Sequence, residues 1–441
     1  MNQTVWPTTT KRNDQGEIEL EGLSLATLAE EYGTPLYLFS ELELRENCRA
    51  YRQAFTDAWS RIRVVYAGKA GISGLLLRII QDEGLGLDVV SGGELAMALA
   101  AGFDPAEISF HGNNKGSDEL REAIQAGVGK IVVDNLDEVS LLAGIARSEG
   151  AKAKILIRLN PGVDVHTHRK ISTGIADSKF GLPISNGQAG DAVAAVLEHP
   201  ELELLGYHAH IGSQLFEPDA YVDAISDLVE FAAHMRQQHG VELRHLSPGG
   251  GFGIAYLEDQ QPKTAVFWAQ TITDAVRDAC RRHGMPEPIL TIEPGRSIAG
   301  PAGVALYRVG SVKEIPGVRT YVAVDGGMAD NIRPSLYDAG YTAAIANRDV
   351  PGVVERTVAI VGKYCESGDI LIEEIALPHI VTGDLVAIPG CGAYSLPMAS
   401  NYNGSQRPAV LLLNESGVRI MRRRETYRDL YRHDPVFDSH D

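Results

Sequence analysis

The stretch "SPGGGFG", residues 247–253, decides how this chain folds. Three glycines behind a short apolar run resemble the opening turn of a dinucleotide-binding sheet. That turn belongs after the first strand of such a sheet. Here six strand-like runs come before "LRHLSPGGG" and one follows it. In order they are "IRVVYAG", "LGLDVVS", "EISFHG", "KIVVDN", "KILIRLN", "LLGYHAHIG", "LRHLSPGGG" and "PILTIEPG". Each is short, apolar and rich in β-branched residues. Between them lie helix-like stretches such as "GGELAMALAAG", "DEVSLLAGIARSEG" and "AVFWAQTITDAVRDACRRHG". Alternating strand and helix predicts a parallel sheet, and eight repeats predict an α/β (β/α)8 TIM-like barrel over residues 41–300. An open doubly wound sheet is the competing reading.

Past residue 300 the texture changes. "GVALYRVGSVKEI", "RTYVAVDGG", "RTVAIVGKY", "DILIEEIAL", "GDLVAIPG", "RPAVLLLN" and "GVRIMRRRE" read as strands joined by Gly, Pro and Asp turns. They predict an all-β domain over residues 301–441. "GEIELEG" and "TPLYLF", within residues 1–40, are short strands expected to join it.

Composition removes several function classes. The chain has 441 residues, 44% hydrophobic and 22% charged, with a net charge of −18. That balance disfavours binding to nucleic acid or anionic lipid through a basic surface. Its four cysteines, at positions 48, 280, 365 and 391, form no C-x-x-C pair. Neither a disulfide framework nor a thiolate zinc site is indicated. The first residues lack a signal-peptide core, and no uncharged run reaches the roughly 18 residues of a membrane span. These absences predict a soluble, cytoplasmic protein.

Reactive groups in such barrels gather at the C-terminal ends of the strands. Those ends carry Lys69, Asp88 with Ser91, His111 with Asn113, Asn135, Arg158 with Asn160, His210 with Ser213, Gly249–Gly251, and Glu293 with Arg296. Lys69 suits a Schiff-base lysine, or else a lysine snorkelling at the rim. "PGGGFG" offers backbone N–H groups to a phosphate, or simply makes a tight turn; Ser213 and Arg296 could complete the cradle. Glu293 can hold a pyridine nitrogen protonated, or pair with Arg296. His210 suits stacking on a flat cofactor ring. His208 and His210 also form an H-x-H pair, which in a metal-dependent hydrolase would bind metal; no compact third ligand is visible, and His208 reads as structural. Lysine, phosphate cradle, ring-facing histidine and carboxylate together specify pyridoxal 5′-phosphate, with no metal.

The segments "EYGTPLYLF", "YAGKA", "FHGNNK", "HTHRKISTGIADSKFG", "HAHIGSQ", "PGGGFG", "EPGRSI", "VDGGMADNIRPSLYDA", "CESGD", "GAYSLPMASNYN" and "RRRET" occur in that order along nearly the whole chain. In this the sequence resembles the alanine-racemase-type (fold type III) pyridoxal-phosphate decarboxylases. The resemblance implies that Lys69 carries the cofactor and that His210 stacks on its ring. It implies that Ser213, Gly250, Gly251, Pro294, Gly295 and Arg296 hold the cofactor, with Glu293 at the ring nitrogen and Tyr394 touching cofactor and substrate. Arg296, Arg333 and Tyr337 are expected at substrate carboxylates. In the family the "CESGD" loop reaches the partner subunit's site in a homodimer. Cys365 is then the acid that reprotonates the carbanion, Glu366 holds the distal ammonium and Ser367 assists at the distal carboxylate; Asp369 receives no role. A thiol with the ordinary pKa of about 8.5 is protonated at neutral pH and can act as such an acid.

A site offering both signs of charge at its far end suits meso-2,6-diaminopimelate, with L-lysine as product. A sister decarboxylase for another basic amino acid is the alternative; a non-catalytic relative is disfavoured by the intact Lys69, His210, Glu293 and Cys365. The chain departs from the family at "YAGKAG", where Asn commonly follows "KA", and at "VDGG" for "VDAG". It departs again at "GKYCESGD" for "GPxCESGD" and at "GAYSLPMASNYN" for "GAYGFSMASNYN". None of these changes removes a named catalytic group.

Overall fold

In the computed structural model, which describes residues 2–163, 178–349 and 355–440, all eight predicted runs are strands. They are β1 Ile62–Ala67, β2 Gly86–Val89, β3 Ile108–Phe110, β4 Lys130–Val133, β5 Ala153–Asn160, β6 Leu202–His208, β7 His245–Gly249 and β8 Ile289–Ile292. Each pairs in parallel with the next. Leu290–Ile292 of β8 pairs in turn with Ile62–Val64 of β1. This last ladder closes the sheet and excludes the open alternative, because a doubly wound sheet keeps two free edges. Val132, Leu156 and Leu205 pack together as a buried cluster contributed by neighbouring strands.

The helices between strands start where the sequence supplies an oxygen cap. Ser91 accepts from the Glu94 N–H ahead of helix Gly92–Ala100. Asn135 does the same for Leu136–Ser148, and Thr264 for Ala265–Arg282. Each cap satisfies one of the otherwise orphaned N–H groups of a first turn. Two polar strand-end residues, Ser91 and Asn135, are therefore accounted for by helix starts.

Two register shifts lie close to the functional strand ends. β6 slips against β5 between Leu204 and Gly206. A Cβ on Gly206 would run into the His245 carbonyl, so the slip needs glycine. β7 slips against β8 between Leu246 and Gly249. Such irregularities bend a strand and re-aim its side chains, here just before His208 and Glu293.

The chain divides into this barrel unit, residues 47–253 and 262–297, and a second unit made of residues 1–46, 254–261 and 298–441. All seven predicted late runs are strands of the second unit. Its long strand Gly303–Ile315 pairs antiparallel with Leu36–Ser40, Leu385–Pro389 and Arg319–Val324. "TPLYLF" and "GEIELEG" both belong to this unit, as expected. "TPLYLF" joins the large sheet, whereas Ile18–Leu20 forms a separate three-stranded sheet with Lys11–Arg12 and Leu23–Ser24. Ile18 and Leu20 still bury their side chains in one core with Leu36, Leu38, Val304 and Leu411.

Candidate active site

Glu293 follows β8 and is 8% exposed, so its carboxylate needs partners inside the barrel. His208 Nε2 lies 3.0 Å from its Oε2, and the Ser247 hydroxyl donates to its Oε1 at 2.8 Å. His111 Nε2 is 3.8 Å from Oε1, and its ring meets that of His208 edge-on at 4.8 Å. Burial by itself would raise the Glu293 carboxyl; His208 and then His111, with the hydrogen bonds from His208 and Ser247, bring it well below the usual carboxylate range. The site therefore holds an anion deep in the barrel. Arg296 donates from Nη2 to the Ser213 hydroxyl at 2.9 Å.

The glycine run forms the second feature. Leu215 N–H donates to Gly251 O and Gly253 N–H to Leu215 O, both at 2.9 Å, lacing the segment after β6 to the one after β7. Tyr221 donates to Gly250 O at 2.7 Å from behind, and its ring stacks on Phe252 at 5.8 Å. A Cβ on Gly250 would run into the Glu293 carbonyl, and one on Gly251 into the Gly212 carbonyl. Gly249 has φ 83° and leaves only 2.9 Å between such a Cβ and His210 Nδ1. Side chains are thus excluded from all three glycines by the strands and loops packed against them, which leaves a run of backbone N–H groups free of Cβ atoms, as a phosphate cradle requires. Pro294 and Gly295 are buried between Glu293 and Arg296. Burial holds the His210 imidazole well below its ordinary pKa, so it is neutral.

Lys69 occupies the turn Gly68–Ala70 directly after β1. Its side chain is exposed. Asp88, in register with Ala67 on the neighbouring strand, is buried. Burial pushes its carboxyl up to about 8, while Lys69 pulls it down. An amine, a glycine cradle backed by a guanidinium, a neutral imidazole and a buried carboxylate fit the aldehyde, phosphate, ring and nitrogen of pyridoxal phosphate.

The H-x-H pair does not act as one ligand set. Among the described residues, the one group of three possible ligands within 4.8 Å is His111, His208 and Glu293, without His210. His208 Nε2 and Glu293 Oε2 face each other at hydrogen-bond distance.

The second unit holds the remaining candidates. Arg333 opens the short helix Arg333–Tyr337 and is 5% exposed. Its guanidinium lies 4.4 Å from the Tyr256 ring centre and donates to the Tyr341 hydroxyl. No carboxylate pairs with it among the described residues. Tyr337 is half-buried, with its hydroxyl 3.9 Å from Met398 Sδ. Tyr394 has φ 60°, a conformation a bulky residue adopts only when held there. Cys365, Glu366 and Ser367 are all exposed, whereas the other three cysteines are buried.

Sequence reasoning left Ser247 out, treated His208 as structural and gave His111 no role. Their meeting depends on register, since His208 and Ser247 are in-register partners on β6 and β7, which the sequence does not reveal. The cage of Tyr256 and Tyr341 around Arg333 had no local signal, because the two tyrosines lie 85 positions apart. The matched residues 166–177 of "HTHRKISTGIADSKFG" lie outside the described residues.

A family profile described as "Pyridoxal-dependent decarboxylase, pyridoxal binding domain" matches residues 41–300. The chain is 46% identical over 431 residues to the diaminopimelate decarboxylase of Bacillus subtilis (strain 168), covering 98% of each protein. It is 44% identical over 429 residues to that of Halalkalibacterium halodurans, covering 97% of each. The crystal structure of diaminopimelate decarboxylase from M. jannaschii in complex with L-lysine superposes with a TM-score of 0.90 at 34% identity, over 98% of both chains.

Proposed function

The chain belongs to the pyridoxal-dependent decarboxylase family, and on that premise we propose that it converts meso-2,6-diaminopimelate to L-lysine and carbon dioxide. Pyridoxal 5′-phosphate, when bound, accepts the electron pair left behind as the α-carboxylate departs. Lys69 Nζ would hold the cofactor covalently. Ser213, Gly250, Gly251 and Arg296 hold the phosphate, with Pro294 and Gly295 shaping the backbone between Glu293 and Arg296. His210 covers one face of the ring. Glu293, kept ionised by His208, His111 and Ser247, holds a proton at the ring nitrogen. Tyr394 and Tyr337 line the substrate.

The observation that carries the substrate reading is Arg333. A guanidinium buried against Tyr256 and Tyr341 with no carboxylate partner among the described residues is poised for a carboxylate from outside the chain. Glu366 supplies the opposite sign for the distal ammonium, and Ser367 assists at the distal carboxylate. Cys365 Sγ delivers the proton that replaces the lost carboxylate. A loop exposed in the single chain fits that task when it closes over a second copy, so the active species is a homodimer with shared sites, acting in the cytoplasm.

The test is an assay of purified protein, supplied with the cofactor, against meso-diaminopimelate, ornithine, arginine and lysine. Release of carbon dioxide from diaminopimelate, with the others at least about 10³-fold slower, is expected, because a missing charge leaves a buried partner unpaired. No release from diaminopimelate overturns the reading.

A further inference from the structure

Asp369 has no place in the chemistry above, yet it is the most buried member of its motif, at 4% exposure beside the exposed Cys365, Glu366, Ser367 and Gly368. Its carboxylate accepts two backbone hydrogen bonds from different parts of the chain. Met328 N–H donates to Oδ1 at 2.6 Å, and Tyr364 N–H donates to Oδ2 at 2.8 Å. The first donor starts the segment that runs into helix Arg333–Tyr337; the second starts the loop that displays Cys365. A Cβ on either Gly327 or Gly362 would run into this carboxylate, so both neighbours must be glycine for it to fit. Main-chain bonds close the loop beneath it, from Gly362 N–H to Asp369 O at 2.9 Å and from Asp369 N–H to Glu366 O at 3.1 Å.

A second link runs parallel to the first. The Ser335 hydroxyl, on the Arg333 helix, donates to Gly368 O at 2.5 Å. Lys363 N–H also donates to Gly326 O at 3.2 Å. The Met328 side is fixed in turn, because Gly327 N–H donates to Asp330, whose carboxylate also accepts from Tyr37 and Tyr307. The tip of the loop is held more lightly, by Cys365 N–H on Asn403 Oδ1 at 3.3 Å and by Tyr364 on the Ser405 hydroxyl at 3.1 Å. An ionised carboxylate taking two amide N–H donors is a strong and geometrically demanding joint. Leaving those amides unpaired in a buried place is unfavourable.

We propose that Asp369 is a positioning residue that holds the Cys365 loop and the Arg333 segment in register through one buried carboxylate. The clamp itself follows from the second unit's own geometry; its consequence for turnover rests on the proposed function. With shared sites, the two clamped segments serve neighbouring active sites, so one substitution disturbs both.

Asp369→Asn keeps the shape but turns an NH2 toward one of the two N–H donors. Its expected effect is a fall in kcat of about 10²-fold, the size a displacement near 1 Å produces, with the affinity and visible absorbance of bound pyridoxal phosphate unchanged. Hydrogen exchange at the Met328 and Tyr364 amides should quicken about tenfold or more, with other segments unaffected. Ser335→Ala, on an exposed residue that leaves the fold intact, should lower kcat by a smaller factor in the same sense. Cys365→Ala separates the two ideas: it should lower kcat while exchange at Met328 and Tyr364 stays as in the unaltered protein. Full activity in Cys365→Ala removes the proton-donor role but leaves the clamp standing. Normal kcat in Asp369→Asn, or exchange that quickens throughout the chain, overturns the clamp. If Asp369→Asn does not fold, an unchanged kcat in Ser335→Ala overturns it.

Discussion

The barrel mouth and the Cys365 loop both gather reactive side chains, but they arrange them in opposite ways. At the barrel mouth Glu293 is buried and cross-braced by His208, Ser247 and His111, each from a different strand. In the loop the reactive residues face solvent, while the base, at Asp369, is buried and tied down. The barrel prepares its electrostatics within one unit of the chain, as a site that must stabilise developing charge requires. The loop fixes its root and leaves its tip uncovered, as suits a segment that finishes a site elsewhere.

The two carboxylates differ in the same way. Glu293 is held low by imidazoles despite its burial, whereas burial raises Asp369, with the Met328 and Tyr364 amides pulling the other way. One carboxylate is met by side chains of the barrel, the other by backbone N–H groups.

The largest effect expected is at Lys69. Lys69→Ala should lower decarboxylation by more than about 10³-fold, and borohydride reduction should no longer fix the cofactor to the chain. Persistent covalent trapping in that variant would move the attachment point away from the barrel.

A smaller loss should follow at the brace of Glu293. His208→Phe leaves Glu293 Oε2 without its donor, and an unmatched buried hydrogen bond of about 1–3 kcal/mol corresponds to roughly 10- to 100-fold. Cofactor dissociation should rise by that factor, read from the absorbance of the bound form. Alkylation of Cys365 by iodoacetamide should stay unchanged. A coupled change at Cys365 would blur the division between the two regions.

The last effect concerns stability near the loop root, with no change in turnover. Burial raises the Asp330 carboxyl to about 6, with Tyr307, the Gly327 amide and Tyr37 opposing. A carboxyl raised above its unfolded value stabilises most when protonated. Its contribution is complete below about pH 4 and is lost as pH rises through about 6. Asp330→Asn should therefore flatten the stability of this unit across that window, a change on the order of 3 kcal/mol in urea titrations. An unaltered pH profile would contradict this assignment.

Local pattern made the barrel legible. Eight β-branched runs, with oxygen caps at Ser91, Asn135 and Thr264, follow from residues a few positions apart. Register does not. That His208 meets Glu293 depends on how β6 lies beside β7 and β8, and on a slip at Gly206 that a single glycine announces only weakly. Asp369 was opaque for the same reason, since its partner Met328 lies 41 residues away and contributes only a backbone N–H. Resemblance supplied the expected roles of Lys69, Cys365 and Arg333, while geometry supplied their surroundings.

The proposal that the Cys365 loop serves a second copy of the chain is tested most directly by mixing two inactive variants. Lys69→Ala keeps an intact loop, and Cys365→Ala keeps an intact barrel. With shared sites, each mixed dimer regains one working site of two, so an equal mixture should recover up to about a quarter of the unaltered activity. No recovery, with subunit exchange demonstrated in the same sample, would contradict shared sites and return the loop to its own chain.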